Sequence, residues 1–150
     1  MERNNERYGD FVKRHREQKG ISLRQVARLL NLSPAYICDM ERNRRNPLYD
    51  DKLYELSAIL GLTQDDEDRL FDYSARELHK VPYDIKDIFY YSEAGDMCRQ
   101  ALRLTKKGIL TIKDWERLLT EIKRIAQRKY EETHSREVFI RVFGKSYLEE

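Results

Sequence analysis

The chain has 150 residues and a formal net charge of +2, with 29 Lys/Arg and 27 Asp/Glu. This length fits one domain, or a small domain with an appendage, and can bury a core without a metal or disulfide. No apolar run reaches the roughly 18–20 residues of a membrane span, and the polar start "MERNNERYGD" lacks the apolar region of a secretory signal. With two distant cysteines, Cys38 and Cys98, the sequence predicts a cytoplasmic protein with reduced thiols.

The charge is unevenly distributed along the chain. Residues 1–48 hold 11 Lys/Arg and 6 Asp/Glu (net +5), and residues 49–80 hold 4 and 9 (net −5). Residues 81–150 hold 14 and 12 (net +2). A local basic patch is expected of a protein that binds a polyanion, although such patches also occur on ordinary surfaces.

The first two helical patterns lie before residue 31. Helix one is predicted from about Asp10 to Lys19, and Gly20 ends it. Ser22 then caps a helix of good helix formers, "LRQVARLL".

A short interruption precedes the third helix. Ser33 is predicted to cap this helix, with Pro34 at the first position, where its missing N–H costs nothing. The helix runs to about Arg42, and Asn43 ends it because asparagine tolerates a positive φ. Two more helices follow, "DDKLYELSAILGL" and "TQDDEDRLFDYSARELH", the latter with a capping-box-like start.

The chain beyond Pro82 is again helical in pattern. "YDIKDIFYY" and "EAGDMCRQALRL" repeat apolar residues at helical spacing, and Thr111 is predicted to cap a longer helix. The segment "EVFIRVFG", residues 137–144, is ambiguous, and we favour a helix because a lone edge strand is uncommon in a helical protein. The longer helix carries a wide apolar face, here called the C-terminal stripe: Ile112, Trp115, Leu118, Leu119, Ile122, Ile125 and Ala126.

The segment 22–47, "SLRQVARLLNLSPAYICDMERNRRNP", has the spacing of a helix-turn-helix, whose second helix lies in the DNA major groove. Ala27 is the small residue needed where two steeply crossed helices approach each other. Asn31 lies in the turn between them, where a residue that tolerates a positive φ is needed. The residues predicted to converge inward are Val26, Leu30, Leu32, Ile37 and Met40. The residues predicted to face outward are Ser33, Ala35, Tyr36, Cys38, Asp39 and Arg42.

This segment resembles the Cro/phage-repressor (xenobiotic-response-element) helix-turn-helix family, especially members reading "S-P-x-Y-I-x-x-x-E-x-x-R-R-N-P". The likeness covers about residues 8–62. It implies an all-α protein, with a five-helix lambda-repressor-like DNA-binding domain in residues 1–80. A helical C-terminal dimerisation or partner-binding region in residues 81–150 would follow. In the family, the residues matching Arg16 and Glu41 pair internally, so both are assigned to structure.

Four positions depart from the family pattern. Leu23 stands where many members carry a glutamine that contacts phosphate, so we do not expect that contact here. Asn31 and Asn43 each replace a glycine. His15 stands where helix one normally offers a leucine to the core, and we expect a partly buried histidine with a local partner.

By resemblance, the positions facing base edges are Pro34, Ala35 and Asp39, with Cys38 and Arg42 as further candidates. Pro34 and Ala35 suit a thymine methyl group, and Asp39 suits cytosine N4. Of these five residues, Arg42 alone can contact guanine through two hydrogen bonds. Such poor direct readers imply that DNA shape carries part of the specificity.

The neighbouring residues suit the DNA phosphates, which set register without reading sequence. These are Tyr36, Arg44, Arg45 and Asn46, and Ser33 completes the predicted DNA-contacting set. Four alternatives stay open. The first is that Tyr36 packs on a neighbouring helix, and the second is that Asp39 orients an arginine. The third is that Arg44 and Arg45 are a solvated pair, and the fourth is that Cys38 is a redox-sensing thiol.

One such domain reads half a site, so a homodimer is expected. The C-terminal stripe is the candidate interface, with Trp115 as a natural anchor. The alternative is that the stripe forms the core of a C-terminal helical bundle. The residues predicted for dimerisation are Trp115, Leu118, Leu119, Ile122 and Ile125.

The sequence therefore predicts a transcriptional regulator that binds double-stranded DNA, a homodimeric (auto)repressor of a palindromic operator on a phage or other mobile element. Its helix at about residues 33–42 reads the operator, and the protein is cytoplasmic and nucleoid-associated. The alternative is a bifunctional antitoxin or anti-CRISPR-type inhibitor whose C-terminal region binds another protein. A sensor of a small ligand is a weaker third hypothesis.

Catalytic motifs are absent from the sequence. His15, His79 and His134 lie in separate segments, and no phosphate loop, nucleophile elbow, HExxH or CxxC occurs. We therefore expect no enzyme activity, no cofactor and no metal.

Overall fold

The structure, a computed structural model, describes residues 5–132. All regular secondary structure in that range is helical, which confirms the all-α prediction; the predicted helix at residues 137–144 lies outside the described residues. The helices of this range are α1 (Tyr8–Lys19), α2 (Leu23–Leu29), α3 (Pro34–Glu41), α4 (Lys52–Leu60), α5 (Gln64–Leu78), α6 (Lys86–Tyr91), α7 (Glu93–Lys106) and α8 (Ile112–Glu131). No helix among residues 5–132 has the length and apolar character needed to cross a membrane.

The chain divides into two compact units between Asp84 and Ile85. Helices α1 to α5 lie in the first unit, and α6 to α8 lie in the second. The division falls close to the domain boundary predicted after residue 80. That the two units are domains with separate functions stays a prediction.

The predicted helix starts in the first unit are confirmed by hydrogen bonds. The Ser22 hydroxyl accepts from the Gln25 N–H (3.2 Å), while the Gln25 side chain accepts from the Ser22 N–H (2.8 Å), which completes a capping box. The Ser33 hydroxyl accepts from the Tyr36 N–H (3.1 Å), with Pro34 in the first turn of α3. These local bonds satisfy N–H groups that a helix start otherwise leaves unpaired.

The turns rely on residues that tolerate positive φ. Asn31 has φ 55° between α2 and α3, and Asn43 has φ 57° just beyond α3. Gly20 ends α1 at φ 71°, as predicted. His79 ends α5 at φ 53°, a left-handed position that the sequence did not mark.

The core of the first unit is built from all of its helices. The residues predicted to converge from the two central helices, Val26, Leu30, Ile37 and Met40, are fully buried, and Leu32 packs against them half-buried. The other large side chains buried to the same degree are Tyr8, Phe11, Val12, Leu53, Leu56, Leu70 and Phe71.

His15 lies at the edge of this core, half-buried. Its ring packs against Phe11 with centroids 4.3 Å apart, which is the expected local contact. Its Nε2 atom is buried, however, and accepts or donates no hydrogen bond among the described residues. Burial lowers the pKa of His15, because desolvation penalises the charged imidazolium.

In the second unit α6 packs against α7. Gly95 makes this approach possible, because a Cβ there would lie 2.3 Å from the Phe89 carbonyl oxygen. Helix α8 begins with the predicted cap at Thr111, whose N–H donates to Asp114 Oδ2 (2.8 Å). Trp115 Nε1 donates to Thr105 Oγ1 (2.7 Å), which joins the start of α8 to α7.

Candidate nucleic-acid interface

A buried ion pair holds α3 to α1. Arg16 Nε donates to Glu41 Oε1 (2.6 Å) and Arg16 Nη2 donates to Glu41 Oε2 (2.9 Å), while Nη1 reaches the Ile21 carbonyl (2.8 Å). Both side chains are almost fully buried. The hydrogen bonds to Glu41 raise the pKa of Arg16, so the guanidinium stays charged. The structure therefore confirms the internal pairing of Arg16 and Glu41. This ion pair fixes the rotation of α3 about its axis.

A second contact fixes the end of α3 against the start of α1. The Gly9 N–H donates to Asn43 Oδ1 (2.9 Å). A Cβ at Gly9 would lie 2.4 Å from the Met40 carbonyl oxygen and 2.7 Å from the Glu41 carbonyl oxygen. Only glycine fits between α1 and these backbone atoms, a requirement that sequence reasoning missed.

With its inner face fixed, α3 presents the predicted outer face to solvent. Ser33, Pro34, Ala35 and Arg42 are exposed, whereas Cys38 and Asp39 are half-buried. Among the described residues no arginine pairs with the Asp39 carboxylate, so the orienting role has no support. The exposed face starts at a helix N-terminus and ends at an arginine.

Tyr36 links this face to the turn that follows it. Its ring packs against the core, half-buried, and the Arg45 guanidinium carbon lies 4.5 Å from the ring centroid. Tyr36 therefore packs on the neighbouring helices and also lies beside the outer face of α3. The cation–π contact also restricts where Arg45 can reach.

Basic side chains gather beside the end of α3. A shallow surface depression is lined by Arg44, Arg45 and Asn46 together with Arg7 and His79. Arg7 precedes α1 and His79 ends α5, so three separate segments supply this surface. Glu77 is its one carboxylate, at 3.4 Å from the Arg7 guanidinium.

A family model for the helix-turn-helix domain matches residues 7–70. Residues 7–70 form a helix-turn-helix domain. The match agrees with the Cro/phage-repressor resemblance of the same segment, and it indicates a DNA-binding regulator. No curated protein and no solved structure matches the chain.

Some basic residues of the helix-turn-helix domain escaped sequence reasoning. Arg24 and Arg28 are exposed one turn apart on α2, beside Gln25. Their i, i+4 spacing on a polar helix face was a usable signal. Arg7 and His79 carried no such signal, because only the fold brings them to the turn after α3.

The described residues offer no site for a metal ion: in residues 5–132 no three His, Cys, Asp or Glu side chains are grouped to hold one. Cys38 is a half-buried free thiol in the helix-turn-helix domain, and Cys98 is an exposed free thiol on α7. The residues predicted for dimerisation lie together on α8. Leu118, Leu119, Ile122 and Ile125 are exposed, and Trp115 is half-buried.

Proposed function

We propose that the protein is a sequence-specific transcriptional regulator, a homodimeric repressor that inserts α3 into the major groove of a palindromic operator. The observation that carries this proposal is the exposed face of α3, held by the buried pair of Arg16 and Glu41. A reading helix needs such a rigid support, because base contacts discriminate only at fixed geometry.

We assign base reading to the exposed face itself. Pro34 and Ala35 offer apolar contact to a thymine methyl group, and Arg42 can donate two hydrogen bonds to guanine. Asp39, which pairs with no arginine within residues 5–132, suits the amino group of cytosine. With one strong reader per domain, the shape of the operator is expected to contribute to specificity.

We assign phosphate binding to the surface beside the end of α3. Arg44, Arg45 and Asn46 follow the reading helix, and Arg7 lies in the same depression. The ring of Tyr36 orients Arg45 before binding, which reduces the entropy lost on contact. Such contacts set register and add affinity on any sequence.

The test is DNA binding by fluorescence anisotropy, on the protein's own upstream region and on random DNA, over a range of salt concentrations. Arg42→Ala should cost about 1–3 kcal/mol on the operator and relax discrimination at one base pair. Arg45→Ala should weaken binding to both DNAs alike and reduce the salt slope by about 1.

Arg69→Ala is the matched control, because it removes an exposed arginine from α5 that pairs with Asp66. It should leave both affinities unchanged. Equal losses on operator and random DNA for Arg42→Ala and Arg45→Ala would overturn the division of roles. No preference of the wild type for its upstream region would overturn the proposed function.

The exposed C-terminal stripe also supports the second candidate, in which residues 81–150 bind another protein, as in an antitoxin or anti-CRISPR-type inhibitor. This candidate expects a fragment beginning near Pro82 to retain the product of a neighbouring gene in a pull-down. If the homodimer proposal holds, the purified full chain should sediment as a dimer in the absence of any such partner.

A further inference from the structure

The C-terminal stripe is an apolar surface without a cover among the described residues. Ile112 is 71% exposed and Ile122 is 57% exposed, and Leu118 and Leu119 are each more than 40% exposed. Single exposed apolar residues are ordinary on a protein surface. A continuous stripe along one face of a 20-residue helix is typical of a surface that binds another helix.

The described part of the second unit also contains no buried hydrophobic side chain. Among residues 85–132, Gly95 is the only buried residue, and every buried hydrophobic residue of the described chain lies between Tyr8 and Ala75. Isolated helices of 6 to 20 residues are marginal in water without tertiary packing. Helices α6 to α8 therefore need an additional apolar surface to be stable.

The charges beside the stripe favour a second copy of α8 in the antiparallel direction. Glu116 and Lys123 lie seven residues apart, so both border the same edge of the stripe. In an antiparallel pair, Glu116 of each copy lies beside Lys123 of the other. In a parallel pair the edge with Glu116 and Lys123 instead faces the opposite edge of the partner's stripe, which holds Leu118 and Ile125, so neither charge has a complementary partner across the interface.

The charge difference between the two ends of α8 is weaker evidence. The first ten residues hold three acidic and two basic side chains, and the last ten hold four basic and one acidic. This difference agrees with an antiparallel pair, but it also stabilises the dipole of the helix itself. The edge residues Glu116 and Lys123 are therefore the stronger evidence for the antiparallel direction.

We propose that two copies of the chain associate through an antiparallel pair of α8 helices, and that α6 to α8 fold only as the copies associate. Leu119 and Ile122 of both copies meet near the two-fold axis. Trp115, held to Thr105 within its own copy, lies toward the ends of the contact. This inference rests on the homodimer of the proposed function and adds its geometry and its coupling to folding.

The first experiment exchanges charges in the full chain. Glu116→Lys and Lys123→Glu each turn two attractive contacts into two like-charge contacts, and each variant should self-associate about tenfold more weakly. An equimolar mixture should recover wild-type association by sedimentation, because the heterodimer has two opposite-charge contacts again. Arg124→Glu, on the polar face of α8, is the charge-matched control and should have no such mixing effect.

The second experiment measures direction. In a Cys38→Ser, Cys98→Ser background, a nitroxide at Lys129→Cys, which continues the stripe near the end of α8, should give a label separation of roughly 25 Å, because about 17 residues of helical rise separate the two labels. A parallel pair would instead bring the labels to roughly 10 Å. Far-UV circular dichroism on dilution should show helix loss together with dissociation.

Each remaining outcome overturns the proposal. A monomer with helicity independent of concentration would mean that the second unit is stable within a single chain. A monomer without helical structure in residues 85–132 would mean that another protein does. A short label distance, or no recovery on mixing, would exclude the antiparallel pair. Operator binding by a parallel dimer would overturn this inference alone, whereas an antiparallel dimer without operator preference would overturn the proposed function alone.

Discussion

In the first unit the apolar faces of α1 to α5 cover one another, whereas in the second unit the longest helix leaves its apolar face exposed. The first unit also contains a buried ion pair, Arg16 with Glu41, which only a closed core can hold. The comparison shows that regular helices and good caps occur in both units, whereas a buried apolar core is seen only in the first among residues 5–132. The first unit is stabilised by contacts among its own helices, whereas we propose that the second unit is stabilised by association with another copy.

The largest effect should come from breaking the buried ion pair. Glu41→Ala leaves the Arg16 guanidinium buried without its carboxylate, and it should lower the free energy of unfolding of the first unit by about 3–5 kcal/mol. Urea denaturation followed by far-UV circular dichroism measures this loss. The control Arg16→Met/Glu41→Leu removes both charges and should be less destabilising than Glu41→Ala; a greater loss would contradict this account.

A matched pair of apolar truncations distinguishes the two units directly. Leu56→Ala in the first core should cost about 2–5 kcal/mol, and the loss should not depend on protein concentration. Ile122→Ala should instead lower a melting temperature that rises with protein concentration. Trp115 is the only tryptophan, so its fluorescence follows the second unit alone. The same concentration dependence for both variants would remove the distinction.

A smaller effect is expected where α1 meets the end of α3. Gly9→Ala places a methyl group against the Met40 and Glu41 carbonyl oxygens, which cannot move without shifting α3. We expect a loss of about 1–3 kcal/mol in the free energy of unfolding, together with weaker operator binding. Lys13→Ala, at an exposed position of the same helix, should change neither measurement.

The smallest effect is a dependence on pH in the first unit. Burial lowers the pKa of His15, so below its ordinary value near 6.5 the unfolded chain binds the proton more readily than the folded one. Stability should therefore fall as the pH is lowered from about 7 to 5. His15→Leu should reduce that fall, measured as the urea midpoint at both pH values. An unchanged fall in the variant would show that other groups cause it.

Much of the first unit could be predicted from the sequence, because its signals are local. Ser22 and Ser33 bond to N–H groups three residues away, and Asn31 and Asn43 adopt positive φ with little strain. The helix-turn-helix match covers the same segment that carried these signals. The fit of Gly9 against α3 could not be predicted, because it depends on contacts between residues more than 30 positions apart.

The second unit shows where helical periodicity stops being informative. The same pattern of apolar residues predicts α8 whether its face packs within the chain or against another copy. In the proposed antiparallel pair, direction and partner depend on the edge residues Glu116 and Lys123, whose complementarity becomes visible only once a second helix is placed beside the first. Thr111 marked the start of the helix, but no local signal of that kind marks an interface.

The division of α3 into a buried and an exposed face has an evolutionary consequence. Ile37, Met40 and Glu41 maintain the fold, whereas Ala35 and Arg42 contact little of it. Substitutions at these outward positions are therefore expected to be nearly neutral for folding. Under the proposed function, single substitutions at these positions can therefore change the DNA sequence that is read while the domain stays folded.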